Sequence, residues 1–199
     1  VVSTRPDCIG SEIIKALLKI NNLKPLMVEL GVESTLNRSL ELLNRGHDYQ
    51  QVCDSVHRLS NAGIETGAHL ILGIPGETRE EIVNHANEIS KLPISTVKLH
   101  QLQIIKNTKL AEMYRNGSVS VKLLDWREYV ELCVDFIEHL RPDIAIERFA
   151  SQAAPELLEV SVWKNIRSYH VTNLVQNKLV ERNTFQGKLY KNTPSKHSS

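Results

Sequence analysis

The sequence predicts an α/β fold: a partial (β/α) barrel of parallel strands with flanking helices. Three observations carry the prediction. Short apolar runs alternate with longer amphipathic stretches along the whole chain, and strand–helix alternation builds parallel sheets because a parallel pair needs a crossover. The run from His69 to Leu72 has the apolar, branched content of a strand buried on both faces, and it breaks at the turn Gly73, Ile74, Pro75, Gly76. Thr78 and Glu81 then form a capping box, in which the Thr78 hydroxyl satisfies one orphan amide and Glu81 reaches back to another. Strand, turn and capped helix make half of a βαβ unit, and α/β proteins hold ligands at that kind of turn.

The elements follow in order. Residues 1–4 read as a short strand, turned at its end by Arg5, Pro6 and Asp7. Ser11 is expected to N-cap a helix over 11–21 that puts Ile13, Ile14, Leu17 and Leu18 on one face. A strand is expected over 26–31, then a helix over 37–44 with Leu40 and Leu43 inward and a stop at Gly46. Asp48 caps a helix through 62, where Val52, Val56 and Leu59 share a face and Gly63 supplies the left-handed end. A strand over 65–72, a helix over 79–91, a strand over 96–102 and a short helix over 109–115 come next. Asp125 and Glu128 form a second capping box for a helix to 140, which aligns Tyr129, Leu132, Phe136 and Leu140 before Pro142 ends it. Residues 144–149 alternate apolar and charged, as a strand with one wet face does. A last helix is expected over 163–180, and the small polar residues 192–199 as a disordered tail.

Residues 1–111 therefore read as half of an eight-stranded barrel, and 112–191 as an α/β extension with helices. Four strand–helix units leave one face and two sheet edges bare. With an opening that reads as the later part of a strand, this predicts a piece of a longer chain.

Composition narrows the function. Of 199 residues, 41% are apolar and 24% charged, with a formal net charge of +1, so no overall basic footprint for nucleic acid exists. No apolar run reaches the roughly 20 residues of a membrane span, and no signal-peptide pattern opens the chain. Cys8, Cys53 and Cys133 are too dispersed for a disulfide framework or a local metal motif, which points to a reducing cytoplasm. His47, His57 and His69 fall on different predicted elements and make no zinc pattern. Dinucleotide, P-loop and nucleophile-elbow motifs are absent.

The candidate functional residues are the polar ones that interrupt buried strands. Arg5 and Asp7 end the first; Glu29 lies in the second, with Glu33 and Ser34 at its carboxyl end; His69 interrupts the third; Lys98, His100 and Gln101 interrupt the fourth. In a parallel barrel such groups point inward or over the carboxyl mouth, where ligands bind. Singly, His69 also reads as a satisfied core histidine, and Glu29 or Lys98 as half of a salt bridge. Together they occupy equivalent ends of successive strands. Two other readings stand beside a cofactor site: a half-barrel binding module that self-associates through its exposed edges, and a barrel enzyme that takes a phosphorylated small molecule at the turn from Gly73 to Gly76.

Several segments together resemble the radical S-adenosylmethionine (SAM) enzymes, and within them a bacterial group allied to oxygen-independent coproporphyrinogen oxidase and the elongator catalytic subunit. VELGVES at 28–34 is similar to the family's ribose-binding strand end, and LNRGH at 43–47 to its N-R-x-H segment. HLILGIPGE at 69–77 resembles G-x-I-x-G-x-x-x-E, with Ile71, Gly73 and Glu77 in place. VKLHQL at 97–102, NTKLA at 107–111 and STRPD at 3–7 extend the match, and QG at 186–187 does so more loosely. The resemblance implies the carboxyl half of a TIM-like radical-SAM barrel. It implies that Glu33 and His69 hydrogen-bond the ribose hydroxyls, Arg45 pairs with the SAM carboxylate and Ile71 packs on adenine. Glu29, Ser34, Gly73 and Gln101 complete the implied cofactor-binding set.

The chain departs from the pattern in three places. His69 and Asn107 replace glycines, and no C-x-x-x-C-x-x-C segment is present to hold a [4Fe–4S] cluster. The resemblance therefore implies a cluster in the intact parent only, no metal on this chain, and an inactive fragment of an iron–sulfur oxidoreductase. By the same analogy the intact enzyme acts on porphyrin precursors or on tRNA wobble uridines, which makes tRNA a possible partner. Arg141, Arg148, Lys164, Arg167 and Lys178 read either as a basic face for it or as a solvated surface.

Overall fold

The computed structural model describes residues 1–163 and 166–191, so the tail expected over 192–199 and Lys164 fall outside the described residues. Five strands, β1 (Val2–Thr4), β2 (Met27–Glu33), β3 (Glu65–Leu72), β4 (Thr96–Gln101) and β5 (Ala145–Arg148), form one parallel sheet in sequence order. Helices make each crossover: α1 (Ser11–Asn21), then α2 (Asn37–Leu42) with α3 (Tyr49–Asn61), α4 (Arg79–Ser90), and α5 (Lys109–Arg115) with α6 (Trp126–His139). A final helix, α7 (Ser168–Glu181), packs on α6. This is the predicted α/β architecture with one more strand than four units supply. The fifth comes from the segment beyond residue 111 and joins the same sheet.

Period-two alternation divides the sheet into two faces. Val28, Leu30, Val32, Ala68, Leu70, Leu72, Val97 and Leu99 are buried, and they form one core with α3 (Val52, Val56, Leu59), α4 (Ile82, Ala86, Ile89) and α6 (Tyr129, Cys133, Phe136). Each large apolar side chain so buried is worth about 1.5–3 kcal/mol. The opposite, open face carries the polar residues.

Capping boxes start α3 at Asp48 with Gln51, α4 at Thr78 with Glu81, and α6 at Asp125 with Glu128. Ser11 does not cap α1: it is the first helical residue, Gly10 is the N-cap, and no side chain caps that end. The second strand runs two residues past the predicted 31, to Glu33. The helix expected to 44 stops at Leu42, because Asn44 takes a left-handed conformation with φ 52°. α7 begins at Ser168 rather than 163. Trp163 precedes it, donating from Nε1 to the Leu124 carbonyl at 2.9 Å and meeting the Tyr129 ring edge-on at 5.0 Å.

Candidate functional site

Register assembles the open face in rows. Ser3, Glu29, Gly67 and Thr96 lie side by side; the next row toward the carboxyl ends is Gly31, His69 and Lys98; Ile71 and His100 form the third. Gly67 is required where it stands, because a Cβ there would lie 2.4 Å from Thr96 Oγ1 and 3.5 Å from Glu29 Cγ.

Glu29 is the hub of the lower rows and only 3% exposed. Its carboxylate accepts from Ser3 Oγ at 3.0 Å, from His69 Nε2 at 3.0 Å and from Lys98 Nζ. Lys98 is also 3.3 Å from Glu147. Burial opposes ionisation of Glu29, but the donors Lys98, Ser3 and His69 outweigh it and its pKa falls. Burial lowers the His69 pKa in turn, against the pull of Glu29. Since Lys98 already balances the carboxylate, the 3.0 Å contact is a hydrogen bond from a neutral imidazole. The proton sits on Nε2, facing an acceptor-only group, and Nδ1 keeps its lone pair.

At the upper rim Glu33 adopts φ 64° next to a β-bulge that shifts register between Gly31 and Glu33. Arg45 Nη2 lies 3.3 Å from Glu33 Oε1 and donates to the Gly31 carbonyl at 3.3 Å. Its Nε is buried with no hydrogen-bond partner. Burial raises the Glu33 pKa and Arg45 only partly offsets it. A carboxylate held by one long contact and a guanidinium with an unused donor both retain binding capacity. Gly31 opens the space between them: a Cβ there would meet Glu33 Oε1 at 2.7 Å and Arg45 Nη2 at 2.9 Å.

Five of the predicted residues, Glu29, Glu33, Arg45, His69 and Ile71, thus belong to one face. Three are held elsewhere. Ser34 is fully buried and donates to Glu77 Oε1 at 2.6 Å; Glu77 in turn contacts His85 at 3.3 Å, and His85 meets Thr35 at 2.8 Å. Gly73 turns the chain out of β3 with φ 93°, beside Leu124. Gln101 uses both ends of its amide on Ser151, donating to the carbonyl at 2.6 Å and accepting from the amide at 3.1 Å.

Sequence reasoning gave His47 no role of its own, yet it is 6% exposed with both ring nitrogens unpartnered. Burial pushes its pKa down, and the Arg45 charge adds to that. Its only signal was its place in the N-R-x-H segment. Arg5, at the end of β1, is occupied by Asp7 through contacts of 3.0 and 2.6 Å.

Residues 1–89 match the Radical SAM superfamily model and residues 94–181 the radical SAM C-terminal domain model. This chain belongs to the radical SAM superfamily. It is 36% identical to an uncharacterised protein of Methanocaldococcus jannaschii, over 94% of this chain and 58% of the relative. It is 29% identical to YtqA of Bacillus subtilis over 95% and 58%, and 32% identical to a tRNA uridine(34) acetyltransferase of M. jannaschii over 58% and 21%. The chain therefore spans a little over half the length of the first two. Among solved structures, Elp3 of Methanocaldococcus infernus with an N-terminal deletion superposes with a TM-score of 0.80 at 24% identity, covering 92% of this chain and 42% of that one. The likeness to Elp3 is a likeness of fold, and it agrees with the partial barrel.

Radical SAM proteins normally use SAM and a [4Fe–4S] cluster. The unpartnered Arg45 Nε, the under-bonded Glu33, the gap over Gly31 and the His69 lone pair fit a ligand that carries a carboxylate and a diol. The cysteines do not fit a cluster. Cys8 is exposed, Cys53 half-buried and Cys133 buried in α6, and no group of three or more metal-ligating side chains is gathered among the described residues.

Proposed function

We propose that this radical SAM chain forms the SAM-binding portion of an iron–sulfur oxidoreductase and contributes binding and orientation to its reaction. The observation that carries the reading is the Glu33–Arg45 pair over Gly31, with a buried donor that the protein leaves unused. Arg45 takes the SAM carboxylate as a guanidinium takes any planar anion. Glu33 and the neutral His69 accept from the ribose hydroxyls, a diol calling for paired acceptors. Ile71 offers an apolar contact to adenine. When bound and given an electron, SAM supplies the hydrogen-abstracting chemistry of the superfamily. On its own cysteines the chain gathers no cluster, so by this reading it is inactive alone.

Similarity to a tRNA uridine(34) acetyltransferase supports a tRNA substrate for the whole enzyme. Three free thiols support a reducing, cytoplasmic setting, and no helix among the described residues is long and apolar enough to cross a membrane. A self-associating half-barrel is a second reading. It is favoured by the outer edges of β1 and β5, which pair with no further strand among the described residues.

Calorimetric titration with SAM tests the main reading. Arg45→Gln and Glu33→Gln are each expected to weaken binding by roughly tenfold or more, since each removes a charge-assisted hydrogen bond. Unchanged affinity in both variants overturns the assignment. Anaerobic reconstitution of the chain with iron and sulfide is expected to give no cluster absorbance.

A further inference from the structure

We infer that the open face over β4 and β5 holds a separate subsite for an oxyanion of the substrate, a carboxylate or a phosphate, formed by His100 and Arg148. The inference rests on the reading of the β2–β3 rim as the SAM end, which leaves the adjoining strands for the molecule to be attacked.

His100 stacks on His69, with ring centroids 5.4 Å apart and planes inclined by 30°. Its Nε2 is buried and has no hydrogen-bond partner. Such an atom is costly unless something else completes its bonding. Burial, then chiefly the Arg148 charge, presses its pKa down to about 4. The ring is therefore neutral at neutral pH and offers hydrogen bonds without a charge of its own.

Arg148 lies beside Lys98 in the β4–β5 register, so both belong to this face. The two cations differ in what balances them. Lys98 is held by Glu29 and Glu147. Arg148 is exposed, its guanidinium makes no hydrogen bond or ion pair among the described residues, and it exerts the largest single charge effect on His100. A guanidinium without a counter-ion next to a neutral imidazole with an unused nitrogen is a matched receptor for a planar or tetrahedral oxyanion. Ile71 is the register partner of His100. One strand spacing, about 4.8 Å, therefore separates the adenine contact from this subsite, and the recognised anion lies beside the cofactor's base.

The test is a histidine side-chain 15N–1H correlation spectrum of the full chain, titrated separately with inorganic phosphate and with acetate at constant ionic strength. A saturable shift of the His100 ring signals, with those of His85 and His139 unmoved, is expected for at least one ion. The stronger ion distinguishes a phosphate ester from a carboxylate as the natural group. Arg148→Gln is expected to weaken the response roughly tenfold or more, and His100→Gln, which keeps a donor, less than His100→Leu. No saturable shift with either ion, or a shift unaltered by Arg148→Gln, overturns the subsite. SAM titration of the same samples separates the two readings. Ion binding without SAM binding sinks the cofactor assignment and keeps the subsite, and SAM binding without ion binding does the reverse.

Discussion

At the scale of single residues, two glutamates on one strand have opposite electrostatic roles. The Glu29 pKa is depressed in the fold, so its stabilisation is present above the ordinary carboxylate range and is lost as pH falls through the lowered value. The Glu33 pKa is raised, so its contribution favours the fold at acid pH and is lost as pH rises through the raised value. Glu29→Gln leaves Lys98 short of its main counter-ion and is expected to cost about 3 kcal/mol in urea unfolding at neutral pH. Adding Lys98→Met should recover much of that loss. Glu33→Gln is expected to keep or raise the unfolding midpoint at neutral pH while SAM affinity drops, a split that marks a binding residue rather than a structural one. In the parent chain SAM affinity should fall on acidification through the Glu33 pKa, as calorimetry over a pH series would show.

At the scale of elements, the glycine inside β2 separates fold from site. A methyl group at residue 31 would strike only the far ends of Glu33 and Arg45, which can swing aside. Gly31→Ala is therefore expected to change stability by under about 1 kcal/mol yet weaken SAM binding by roughly tenfold, and a thermal melt beside a titration checks both. Helix starts were legible because capping boxes are local: Asp48, Thr78 and Asp125 act as their sequence context predicts. Ser11 was misplaced by one residue because Gly10 takes the cap without a side chain. The placement of Ser34 was not legible for a different reason. The register shift between Gly31 and Glu33 breaks strict alternation, and the next residue turns back toward Glu77. Gln101 likewise lies at the carboxyl end of β4, but its partner Ser151 is fifty residues away, beyond the reach of any sequence window.

At the scale of the whole molecule, parallel order was readable from strand–helix alternation alone, and the Elp3 likeness agrees with it. That the strand beyond residue 111 joins the same sheet was not, since β5 is only four residues long and half polar. Its outer edge and that of β1 present unpaired backbone groups among the described residues, which templates association. Sedimentation velocity over a concentration series is expected to show a dimer that grows with concentration. A monomer throughout would remove the self-association reading.

The Glu29 carboxylate is engaged at once from β1, β3 and β4. A single anion so shared acts as a rivet: none of these strands can slide against another without breaking a contact in a dry environment. The floor beneath the rim should accordingly resist shear, and backbone amides at residues 28–30, 68–70 and 97–99 should be among the slowest in the chain to exchange with heavy water. Any accommodation of a ligand then falls to the bulge and to the side chains above it.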